Sequence, residues 1–164
     1  MKSIFIKALL IINLFFIYNC KAQTANDYIT FYNGVVPKLK SIIPNKTQFY
    51  GQNFSSFYNE LQNKNVNIVM ISYDSKIFND PHYYTLYLYF CDRNMLNVAS
   101  DNSFQYPWLE IAFENEIPSQ IKDMVLQYHG QWNTTFAQFF SNMKIEKIKF
   151  IGVRGYDSPD YSAK

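Results

Sequence analysis

The segment Tyr83–Asp92, reading Tyr-Tyr-Thr-Leu-Tyr-Leu-Tyr-Phe-Cys-Asp, constrains the fold more than any other stretch of the chain. It holds no glycine, no proline and no charge before Asp92, and its aromatic residues suit a pleated, half-buried backbone. In a strand, Tyr84, Leu86, Leu88 and Phe90 point to one face and Thr85, Tyr87, Tyr89 and Cys91 to the other. The first set needs a core. The second set is apolar in body but tipped with hydroxyls, the pattern of side chains that bridge apolar and wet surroundings. A strand of this kind is expected to be covered on both faces. For the odd-numbered face three covers remain open: the first helix, a second copy of the chain, or a ligand or partner.

Residues 1–22 read as an export leader. Lys2 and Lys7 precede the apolar run Ala8–Tyr18, broken by Asn13, which has signal-peptide length and is too short to span a bilayer. Cys20-Lys21-Ala22 puts small residues at the −3 and −1 positions of a cut after Ala22. The same stretch offers a second reading. Ile17-Tyr18-Asn19-Cys20 resembles the lipobox of bacterial lipoproteins, which implies lipidation of Cys20 as the first mature residue. Both readings predict export to the periplasm, to the medium or to an outer-membrane lipid anchor. They leave a single domain over 23–153 and a polar, flexible tail over 154–164.

Loss of Lys2, Lys7 and Lys21 takes the formal net charge from +2 to −1. A near-neutral chain without a Lys/Arg stripe lacks the electrostatic footprint of a nucleic-acid binder. Cys91 is then the only cysteine free to react, so no intramolecular disulfide is expected and the exported fold must rest on its core. Its 15 Phe, 14 Tyr and 2 Trp make that feasible.

Apolar spacing predicts an amphipathic helix over 26–43, with Pro37 kinking or splitting it, and a short helix over 55–63 after a polar loop at 44–53. Strands are expected at Val66–Asp74, Tyr83–Asp92, Trp108–Glu114 and Ile145–Val153, with a further extended piece at Met95–Val98. After Pro118 an apolar stripe runs through Ile121, Val125, Tyr128, Trp132, Phe136, Phe139 and Met143. Its unbroken phase favours one long bent helix over two helices broken at His129-Gly130. The fold class is therefore α+β: two N-terminal helices, a mainly antiparallel sheet of three to five strands, a long C-terminal helix and a last strand.

No motif for chemistry stands out. His82 and His129 lack a spaced nucleophile and orienting group, and no metal-ligand spacing is present. Glu110 and Glu114, on one face of one strand, lie about 13 Å apart at about 3.3 Å per residue, too far for a glycosidase pair. Cys91 reads as a small buried hydrophobe. No cofactor is expected. What remains is an aromatic wall of Tyr87, Tyr89 and Trp108 edged by Glu110, suited to a protein, a sugar or another apolar ligand. The leading expectation is an exported, non-enzymatic binding or protein-interaction module of a bacterial envelope, with an immunity protein or inhibitor fitting that description. The alternatives are a small pocket-based hydrolase or isomerase using Asp92, His129 or Glu114, and a structural lipoprotein.

Overall fold

A computed structural model describes residues 23–76 and 81–164. The expected leader over residues 1–22, with Cys20, lies outside the described residues. The domain is α+β, with five α-helices and one four-stranded antiparallel sheet among the described residues.

Helix α1 (Ala25–Ile42) opens with a full capping box: Asp27 N–H donates to the Thr24 hydroxyl oxygen, and the Thr24 N–H donates to the Asp27 carboxylate at 2.8 Å. Pro37 lies inside α1 without dividing it, on an exposed flank between the buried Val36 and Leu39. The expected polar loop at 44–53 is instead mostly a 3-10 helix, Ile43–Phe49, which takes Pro44 in its first turn, where proline's missing amide needs no partner. Helix α2 (Phe54–Asn63) buries Phe54, Phe57 and Leu61.

The sheet is a meander of β1 (Met70–Asp74), β2 (Tyr83–Tyr89), β3 (Trp108–Ile117) and β4 (Ile145–Ile151). Ile71, Leu86, Leu88, Leu109, Ile111, Ile148 and Phe150 line one face, and all seven belong to the buried core. Tyr28, Leu39, Phe54, Phe57, Phe136 and Phe140 of the helices close over them. Phe113 and Phe140 stack at 5.7 Å between centroids and 8° between planes.

Two further sequence expectations fail for identifiable reasons. Met95–Val98 is helical, inside α3 (Arg93–Asp101), because Asp92 leaves the sheet and accepts from Met95 N–H at 2.8 Å as an N-cap. The stripe from Ile121 to Met143 is not one helix but α4 (Ile121–Gln127) and α5 (Thr134–Phe140). Between them the chain runs along the outer edge of β1: Ile71 N–H donates to the Gly130 carbonyl at 2.8 Å and Trp132 N–H to that of Val69 at 2.9 Å. A continuous helix would keep those groups for itself and leave the strand edge unpaired. Asn133 then caps α5 through its side chain. The stripe keeps phase because both helices press on one core, not because they share an axis.

The last residues are pinned to the domain. Phe150 and Lys164 exchange both backbone hydrogen bonds, at 3.0 and 2.8 Å, and the Gln105 side-chain amide donates to the Ser158 and Asp160 carbonyls.

Candidate functional site

The second face of the sheet is built by the register. One row across the four strands is Met70, Tyr89, Trp108 and Ile151; the next is Ser72, Tyr87, Glu110 and Lys149; the third is Asp74, Thr85, Ala112 and Lys147. None of its hydrophobic side chains joins the core cluster of the described residues. Helix α1, one of the three covers open from sequence, packs on the opposite face with Leu86 and Leu88. Tyr87, Tyr89, Trp108 and Glu110 are each half-buried.

Those four residues are brought together. Trp108 meets Tyr87 edge-on at 5.1 Å and 84°, and lies over Tyr89 at 6.2 Å and 21°. Both geometries suit ring quadrupoles. Lys149 Nζ reaches Glu110 Oε1 at 2.5 Å, so the carboxylate at the edge of the wall is neutralised by a neighbour from β4. The Tyr87 hydroxyl is placed 3.4 Å from Asp74 Oδ2. Burial, then the Asp74 and Glu110 carboxylates, push the Tyr87 phenol up to about 12. It therefore stays protonated at any physiological pH and offers a donor.

Around the aromatic centre the charges alternate in sign. Lys76 pairs with Glu146, and Lys147 is exposed beside them. A shallow depression of about 400 Å³ lies between Lys76, Tyr87, Glu110, Glu146 and Lys149. Lys147 and Lys149 were not singled out from sequence. The alternation of Ile145–Ile151 was there to read, since Ile148 and Phe150 take one face and the two lysines the other. What periodicity could not supply was the register that sets Lys149 opposite Glu110.

The residues of the enzymatic alternative are not gathered in one place. Asp92 caps α3 and accepts from Gln23 Nε2 at 3.2 Å. Glu114 is exposed at the far end of β3. His129 lines a separate cleft beside α3. Cys91 is buried, and burial followed by the neighbouring Asp92 pushes its thiol up to about 12, the opposite of an activated nucleophile. Among the described residues no three His, Cys, Asp or Glu side chains cluster as metal ligands would, and no helix is long and apolar enough to cross a membrane.

No protein-family model matches the chain, and neither curated proteins nor solved structures show a match to it.

Proposed function

We propose that this is an exported, non-enzymatic protein-interaction module of a bacterial envelope, of the immunity-protein or inhibitor kind, whose partner is a protein docking on the second face of the sheet. Export rests on the sequence of residues 1–22. The observation that carries the docking reading is the Tyr87–Trp108–Tyr89 aromatic block, which lies on the two central strands, at the end of β2 and the start of β3, on a sheet face outside the core.

Its anatomy favours a protein over a small ligand. Aromatic anchors sit at one end of the face, and ion-paired residues of both signs (Glu110 with Lys149, Lys76 with Glu146) border them along it. Clustered aromatics bordered by charges resemble interfaces in which a few residues carry most of the binding energy. Three rows across four strands span roughly 14 Å each way at ordinary strand spacing. That is well short of the ~800 Å² each partner of a standard interface buries. A partner must therefore reach past these rows onto flanking residues such as Lys76 and Glu146, and the charges it covers make its binding salt-sensitive.

The test is retention of a partner from envelope extract by the wild-type protein and by Trp108→Ala and Tyr87→Ala, repeated with the purified partner. The reading predicts loss of the complex in both variants with melting temperatures within a few degrees of wild type. Retention of the same partner by both variants would refute it, as would self-association through this face in place of a second protein.

A further inference from the structure

We propose that a second site lies at the open end of the β1–β2 hairpin: a cleft of about 430 Å³ that binds a small oxyanion, a carboxylate or phosphate group, through Arg93 and His129. The cleft lies between α3, the α4–α5 connection and the strands, and its volume falls at the low end of the range for small-molecule sites.

The chemistry of its lining is one-sided. Arg93, His129, Asn97, Tyr89, Tyr106 and Ser72 supply donors, and no Asp or Glu lines the cleft. The chain has two arginines, at positions 93 and 154. Arg154 is committed, with its guanidinium 2.8 Å from Asp160 and a second bond to the Ser162 carbonyl. The Arg93 side chain, which is exposed, makes neither a hydrogen bond nor an ion pair with the described residues. A guanidinium presents a planar fork of donors that matches a carboxylate or phosphate in two-point contact, and nothing in the cleft competes for it. Burial, then the neighbouring Tyr106, push the Tyr89 phenol above its ordinary value, so Tyr89 keeps its hydroxyl proton to offer.

His129 is held in place by the backbone. It occupies the left-handed position that ends α4, with φ 52°, while His129 N–H donates to Leu126 and Gly130 N–H to Val125. Asn65 and Ser103 end α2 and α3 in the same way, so left-handed geometry alone does not single His129 out. It does give a clean substitution. Glycine is the residue such a position prefers, so His129→Gly removes the imidazole without loss of the turn.

Tyr89 borders both surfaces, but the inference does not rest on the docking reading, because its charged groups are Arg93 and His129 and neither Tyr87 nor Trp108 is part of the cleft lining. It is tested by NMR titration of the purified protein with inorganic phosphate, with benzoate, and with benzamide as the neutral counterpart of benzoate. The expected result is saturable shifts of Arg93, Asn97 and residues 125–130 with benzoate, phosphate or both, and none with benzamide. Whichever probe saturates identifies the source of the oxyanion. Arg93→Gln should weaken that binding by at least about tenfold, the scale of a lost charged two-point contact. His129→Gly should weaken it with the melting temperature unchanged or raised. Failure of both anions to saturate, equal binding of benzamide, or wild-type affinity in either variant would overturn the proposal.

Discussion

Trp108 meets Tyr87 edge-on at 5.1 Å on the second face of the sheet, while one residue along the same strand Leu109 is fully buried on the first. This contrast separates what the strand does for stability from what it offers to a partner. Trp108→Ala forfeits about 1 kcal/mol of aromatic pairing and leaves the core intact. Phe113→Ala removes a fully buried ring stacked on Phe140, at a cost of about 3–5 kcal/mol. Urea unfolding of both variants checks the difference, and equal losses would mean that Trp108 is a core residue.

Gly152 should tolerate no side chain. Its φ is +68°, and a Cβ built there would strike the Tyr106 carbonyl, 2.6 Å from its carbon. The Gly152 carbonyl also accepts the Tyr32 hydroxyl at 2.8 Å, which ties α1 to the end of β4. Gly152→Ala is expected to cost more than about 3 kcal/mol, since left-handed strain and a backbone clash add. Gly34→Ala, with nothing within 4 Å of the new carbon, should by contrast be neutral or stabilising. Thermal melts of the two variants in parallel distinguish local clash from a general intolerance of substitution.

Alkali should destabilise the protein. Burial pushes the Cys91 thiol up to about 12, and the Tyr32 and Tyr87 phenols likewise to about 12, from ordinary values of 9.0 and 10.0. The native state therefore holds protons that the unfolded chain releases. Stability from these groups is complete below pH 9, declines from about pH 9–10 upward and is gone past about pH 12. Melting temperature against pH should be flat from neutrality to about pH 9 and then fall. In Cys91→Ala the onset should move up toward the tyrosine value.

Asp92 is the N-cap of α3. Asp92→Ala should cost about 1 kcal/mol through loss of its bond to Met95 N–H. Asp92→Asn, which keeps an accepting oxygen, should recover most of it. Chemical denaturation of the pair measures the difference.

The two-faced strand was legible because alternation is a local signal, and Leu86, Leu88 and Phe90 are buried as their spacing requires. So was the grouping of Tyr87, Tyr89, Trp108 and Glu110 on one face, since each alternation is readable and neighbouring strands are joined in sequence order. Three features were not. Helix α3 was hidden because Asn94, Asn97 and Ser100 dilute its apolar spacing, although Asp92 is an N-cap signal that could have revealed it. The break after α4 depends on an edge bond from Ile71 to Gly130, a partner distant in sequence that periodicity cannot report. The cleft around Arg93 and His129 brings together residues from five separate stretches of chain, so no spacing announces it.

One side of this sheet is core, and under the proposed function the other is the surface that a partner covers. Hydroxyl-radical footprinting of the purified protein, alone and mixed with envelope extract, tests it most directly. Alone, Tyr87 and Trp108 should be oxidised while Tyr28 and Phe113 stay protected. In the mixture Tyr87 and Trp108 should become protected, and Tyr161, 56% exposed on the C-terminal segment, should go on reacting. Trp108 as inert as Phe113 in the free protein, or as reactive in the mixture as without it, would contradict the account.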